Sequence, residues 1–348
     1  MPEYCYNFHN FVNFKLITED PACIEFILAE YHNHASQPAE PDLPEVILRF
    51  KRQDFMVSAP AGYTWHSHKG LARWGYRMQI DGQRIEIDAV GNRFAIPMIY
   101  HMMVHPSLRY LVSKKGILIL HAAAIASRGK SLILTGKGGM GKSTTCSVAL
   151  AVGGLEWSEH ADDYVFLGPG PTSYAYLTRT HIYRYMLKSV PEFGAYLTRS
   201  ERLGLELFGR LRSLSGGSIR WPVRVEPERM WPGRAREMSA SPVGLFMLRR
   251  SNREQPGLAP LADRQNLVDD LLKMNFGEAR HYLMLVKKCG TLNDYNEWLA
   301  DWQGRERELI EQRLAEMAIF DLSLPSNKAD WDRFAPVLIN NFNKLVQA

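Results

Sequence analysis

Short runs in which apolar and polar residues alternate dominate the first third of the chain. FKLITED (residues 14–20) and PEVILRF (44–50) read as strands. YRMQI, then Asp81-Gly82, then QRIEIDAV is the clearest hairpin, because a D-G pair supplies the tight turn between two alternating segments. A helical-period segment spans roughly Pro97 to Val112, and Lys114-Lys115-Gly116 stops it.

From residue 117 the pattern changes. ILILHAAAIA and SLILTG are apolar runs joined by a polar SRGK turn, and they read as adjacent strands. Ser143 to Val152 reads as a helix, and VFLG (165–168) as a buried strand. Residues 195–215 are helical and rich in arginine. VGLFMLRR (243–250) and HYLMLVKK (281–288) read as strands. Gln265 to Asn275, LNDYNEWLADW and the stretch from Ala329 read as helices. Strands alternating with helices predict an α/β domain around a central sheet, here over residues 116–348. The segment before it, 1–115, predicts a smaller β-rich α+β domain.

Composition narrows the picture little. With 348 residues, 46% of them hydrophobic and 23% charged, the chain fits an ordinary globular protein long enough for two domains. A net charge of +5 gives no reason to expect nucleic acid as a partner and suits an anionic ligand. Cys5, Cys23, Cys146 and Cys289 share no C-x-x-C spacing, which argues against a disulfide framework or a zinc site and for a reducing, cytoplasmic setting. The opening MPEYCYNFHNF lacks a basic region followed by an apolar core, so no signal peptide is expected. The longest apolar stretch, 116–126, is about half of what a membrane helix needs.

The chemistry concentrates in GKGGMGKSTT, residues 136–145. Gly136, Gly141, Lys142 and Ser143 satisfy G-x-x-x-x-G-K-[ST], and the predicted context is strand, loop, helix, as a phosphate-binding loop requires. Glycine-rich backbone can turn its N–H groups toward a triphosphate, and the helix N-terminus adds a favourable dipole. The residues expected to hold the nucleotide are Gly136, Lys137, Gly138, Gly139, Met140, Gly141, Lys142, Ser143 and Thr144. Lys142 is expected to reach the β- and γ-phosphates, and the Ser143 hydroxyl to sit on Mg²⁺.

Two kinds of protein carry such a loop. Lys137 with Gly138-Gly139 resembles the deviant loop of partition-type ATPases, in which an early lysine reaches across a dimer. Those proteins follow it with D-x-D-x-Q. Here EHADDYVFL (159–167) follows instead, and a complete unit precedes the loop. The order L-H-A-A-A, turn, strand, loop, helix, A-D-D-x-V-x-L resembles the catalytic domain of HPr kinase/phosphorylase over residues 116–170. That resemblance implies an ATP- and Mg²⁺-dependent serine kinase with a P-loop kinase-like fold. In it His121 lies beside the phosphates and forms the catalytic pair with Asp162, which takes the proton from the acceptor serine, and Asp163 serves as a Mg²⁺-side or orienting carboxylate. It also brings a homo-oligomer and a serine-bearing peptide or protein as expected partners. The family's L-R-G-L-E-V-R-G-L-G-I segment has no counterpart here, which argues against HPr itself as the acceptor.

Residues 199–236 interleave nine arginines with four glutamates. Mixed signs at helical spacing suit a solvated helix face. SGGSIRWPVR (215–224) differs, and Arg220 and Arg224 are candidates for stabilising transition-state charge. Trp221 and Trp231 either line a groove or anchor this loop. Glu192 is the nearest further carboxylate that could serve a metal. A switch ATPase that uses Lys137, and a regulator that binds nucleotide without turnover, stay open beside the kinase.

Overall fold

The computed structural model describes residues 1–35, 42–68, 71–216, 221–252, 257–261, 263–325 and 331–347. It is a mixed α/β protein with several multi-stranded sheets. The chain divides into two compact units, one of Met1–Ile119 with Val268–Gln312 and one of Leu120–Leu267 with Arg313–Ala348. The sequence places one division near residue 115 and runs the second domain unbroken to 348. The structure instead returns residues 268–312 to the first unit.

The first unit holds a six-stranded sheet of β1 (Glu3–Phe8), β2 (Val12–Ile17), β3 (Glu45–Arg52), β4 (Thr64–His68), β5 (Ala72–Asp81) and β6 (Arg84–Gly91), in the order β1-β2-β3-β6-β5-β4. The β2–β3 and β3–β6 pairs are parallel, and the outer pairs are antiparallel. The expected D-G hairpin is β5–β6, with Asp81 opposite Arg84. Helix Pro21–Tyr31 starts at Asp20, whose carboxylate accepts from the Cys23 N–H at 2.7 Å. It packs Tyr31 among the rings of Tyr6, Phe8 and Phe14.

Why residues 268–312 belong here follows from one buried cluster. Arg109, on helix His105–Ser113, donates through Nε and Nη2 to the Glu306 carboxylate. Its third nitrogen, Nη1, donates to the Asn275 carbonyl at 2.6 Å. The guanidinium lies over the rings of Phe276 and Trp302 at 4.9 and 5.2 Å, and Trp302 Nε1 donates to Glu306 at 2.9 Å. A buried charge is tolerable only when it is paired and hydrogen-bonded, and this one uses partners from two further helices, Arg264–Glu278 and Tyr295–Ala315. HYLMLVKK, expected as a strand, is part of helix Arg280–Cys289. Tyr282, Leu285 and Val286 are buried at helical spacing. Gly290, in the left-handed region at φ 67°, ends the helix after Lys287-Lys288.

The second unit is built on β7 (Leu118–Ser127), β8 (Lys130–Thr135), β9 (Ser158–Ala161), β10 (Tyr164–Leu167), β11 (Ser173–Tyr174), β12 (Thr180–Ile182), β13 (Val223–Val225), β14 (Ser239–Ser251), β15 (Gly257–Pro260) and β16 (Ala318–Pro325). The main sheet runs β11-β10-β7-β8-β14-β16-β15, with β9 also on β7 and β11 also on the first residues of β14. β7 and β8 form the expected hairpin. β8, β14 and β16 are parallel. Helices Lys142–Gly153 and Trp331–Gln347 pack together, and Leu134, Phe246, Trp157, Ile339 and Phe342 share their core. Among the described residues no helix is long and apolar enough to cross a membrane.

Candidate functional site

β8 runs straight into the glycine-rich loop, and helix Lys142–Gly153 leaves it. Gly136 has φ 146°, and a Cβ there would lie 3.1 Å from the Leu248 carbonyl oxygen of β14. Only glycine allows the chain to leave the sheet at this point. Gly141, at φ 105°, caps the helix from the left-handed region. Lys137, Gly138 and Gly139 are exposed, while Lys142 is buried and its Nζ donates to the Gly136 carbonyl at 3.0 Å. The ammonium is therefore held inside the turn of the loop. The Thr145 hydroxyl donates to the Gly141 carbonyl at 2.9 Å, which fastens the first helical turn.

Asp162 and Asp163 follow β9 directly and stand beside this loop. Asp162 is buried, and the Ser143 hydroxyl donates to its carboxylate. The main-chain N–H of His181, on β12, donates to Asp162 Oδ2 at 3.1 Å. The His181 ring nitrogen Nδ1 stands 3.1 Å from Asp163 Oδ2 and 3.5 Å from Asp162 Oδ2. One potential ligand atom from each of Asp162, Asp163 and His181 lies within 4.8 Å of the other two. Arg224, on β13, is directly opposite His181 in the antiparallel ladder. His121 lies in β7, its ring 5.5 Å from that of Tyr164, and its main-chain oxygen accepts from Thr135 at 3.1 Å.

The two carboxylates are pushed in opposite directions. Burial, and then the charge of Asp163, raise the pKa of Asp162; His181 and the Ser143 hydroxyl act against that rise without cancelling it. Burial pushes Asp163 up as well, but His181, His121 and Lys142 outweigh it and hold this carboxyl well below its ordinary value. Burial opposes the charge on His181, yet Asp163 overcomes it and raises the imidazole above its usual range. The site thus holds one ionised carboxylate and one of raised proton affinity, which is how a pair of like groups divides between two roles.

Of the residues singled out from the sequence, the loop 136–144, His121, Asp162 and Asp163 gather in one place, and Arg224 joins them through His181. Arg220 lies outside the described residues. Glu192 is exposed at the start of the short helix Phe193–Tyr196 and is not among the gathered groups. Trp231 is an anchor: it is buried against Phe193, and its Nε1 donates to Glu159 at 3.0 Å.

The sequence missed His181, Thr180 and Glu159. Thr180 donates to both Glu159 oxygens, at 3.1 and 3.0 Å, so β12 binds Glu159 with one residue and Asp162 with the next. The only sequence signal was the three-residue run THI with its β-branched ends, too short to place a strand. No protein-family model matches the chain, and no curated protein matches it.

Proposed function

We propose that the second unit is a P-loop kinase-like domain. Its reaction is transfer of the γ-phosphoryl group of ATP to a serine hydroxyl of a peptide, protein or small-molecule acceptor. The observation that carries this reading is the hydrogen bond from Ser143, the last residue of the phosphate-loop motif, to Asp162 of the carboxylate pair. It joins a phosphate-binding loop to a carboxylate whose proton affinity is raised, the combination that hydroxyl activation beside a triphosphate requires.

Hard oxygen donors suit Mg²⁺, and the hydroxyl of Ser143 and the ionised carboxylate of Asp163 fit that ion. When bound it supplies positive charge against the phosphoryl oxygens. The protein groups do the rest. Loop N–H groups and Lys142, freed from the Gly136 carbonyl, hold the phosphates and the charge that develops on them. Asp162 takes the proton of the acceptor hydroxyl. That oxygen bonds to the γ-phosphorus as the bond to the β,γ-bridging oxygen breaks, and ADP leaves with the electron pair. His181 keeps Asp163 ionised, and Arg224 adds a cation on the same side. The cytoplasm is the proposed compartment.

Purified protein supplied with γ-labelled ATP and Mg²⁺, and offered serine peptides, free serine and HPr, tests the reading. Label on a serine that is lost with Asp162→Asn supports it. Hydrolysis with no acceptor labelled, unchanged by Asp162→Asn and abolished by Lys137→Ala, sinks it in favour of a switch ATPase.

A further inference from the structure

A cavity of about 690 Å³ lies between the segment 183–188 and helix Arg199–Leu214, with Trp221 on its wall. Its size falls in the range of small-ligand sites, roughly 300–1,000 Å³. Nothing in the phosphoryl-transfer reaction uses it, yet one residue of its wall, Tyr185, reaches the helix that the loop opens. The hydroxyl of Tyr185 is within hydrogen-bonding reach of both Thr144 and Arg212. Thr144 sits in the first turn of the helix that the loop opens, immediately after Lys142 and Ser143.

The walls are flat and aromatic. Tyr183 and Tyr185 stack at 5.5 Å with 12° between their planes. The Arg212 guanidinium carbon is 5.0 Å from the Tyr185 ring centre. Phe208 and Trp221 meet edge to face at 5.6 Å. Gly209 lets Arg184 lie across the helix, because a Cβ there would collide with the Arg184 side chain. Arg184 is in turn paired with Glu206 at 3.0 Å. Aromatic faces beside a guanidinium are the chemistry that receives a heterocyclic base.

We infer that this cavity receives the nucleoside half of the triphosphate, the base stacking among Phe208, Trp221 and the tyrosine pair. The inference rests on the nucleotide-binding reading of the loop. Lys142 and the carboxylate pair mark the end of the phosphate chain where transfer occurs. Thr144 and Tyr185 mark the other end, where the cavity wall meets the helix. Arg212, reaching the Tyr185 hydroxyl, stands where the phosphate nearest the ribose would pass.

The test separates base from phosphates. Titrate the full chain calorimetrically with Mg·ATP, Mg·ADP and Mg·tripolyphosphate, as wild type and as Phe208→Ala, Trp221→Ala and Lys142→Ala. Base stacking of this kind predicts that each aromatic variant weakens ATP and ADP roughly tenfold, with tripolyphosphate affinity unchanged. Lys142→Ala weakens all three. Photolabelling of the wild type with 8-azido-ATP should map to residues 183–188 or 205–216, a readout that needs no variant to fold. Unchanged ATP affinity in both aromatic variants, with the photolabel elsewhere, overturns the cavity assignment and leaves the loop intact; an acceptor KM raised in the same variants would then give the cavity to the acceptor. Wild type that binds neither ATP nor tripolyphosphate overturns the loop reading and this inference together.

Discussion

Trp231 Nε1 donates to Oε2 of Glu159 across 3.0 Å, and neither this donor nor Thr180 brings the positive charge that a buried carboxylate lacks. Burial, and then the charge of Asp162, push the Glu159 carboxyl up to about 8. The folded protein keeps this proton where the unfolded chain has released it. Stability contributed by Glu159 is therefore full below about 4.5 and lost as the pH rises toward about 8. Glu159→Gln, which mimics the neutral form, should match wild type in acid. It should exceed wild type by on the order of 2–4 kcal/mol at alkaline pH. Urea unfolding across the pH range checks this; equal curves at every pH would mean that Glu159 titrates in the folded protein as it does in the unfolded chain.

The proposed kinase reaction gives the two carboxylates different roles. Asp162→Asn should lower kcat by roughly 10²- to 10⁴-fold and leave nucleotide affinity nearly unchanged. Asp163→Asn should instead raise the Mg²⁺ concentration for half-maximal rate by on the order of tenfold. Steady-state rates against Mg²⁺ for both variants decide the matter, and the reverse pattern would exchange the two roles.

At Gly136 the constraint is the backbone of β14. Gly136→Ala places a methyl group 3.1 Å from the Leu248 carbonyl, at a φ that L residues rarely adopt. Strain on the order of 1–3 kcal/mol follows. Nucleotide affinity should fall roughly tenfold or more, while far-ultraviolet circular dichroism stays that of wild type. Retained affinity in a folded variant would show that the loop can re-form without this glycine.

In the first unit, Arg109→Leu and Glu306→Leu each strand a buried charge and should cost about 3–5 kcal/mol in unfolding free energy. The double variant should recover much of that loss, because no unpaired charge remains. Chemical denaturation of the three variants measures it. A double variant as unstable as the sum of the singles would mean that packing, rather than charge, sets the cost.

The parts of the site that could be read from the sequence share a local grammar. The loop, the hairpin that leads into it and the Asp162-Asp163 pair are each specified by neighbours within a few residues. His181 is not, because it reaches Asp163 through a three-residue strand whose pairing with residues 223–225 skips forty positions. The run YLMLV at 282–286 is β-like in composition. What decides it is which residues are buried, together with the stop at Gly290. Arg109 is a polar letter in an apolar helix, and its partners lie 166 and 197 positions away. No periodicity announces such a contact.

The path of the chain through its two units governs how the protein can be made and dissected. The first unit lacks its closing helices until residue 312 has been synthesised, by which time residues 120–267 have already emerged. The second unit in turn waits for residues 313–348, among them the helix that packs on Lys142–Gly153. A growing polypeptide therefore carries two unfinished cores at once, with exposed apolar surface that invites misassembly. No single cut point separates the units. A fragment starting at residue 116 would carry Glu306 and Asn275 without Arg109, and a clean excision of the second unit requires a short linker in place of residues 268–312.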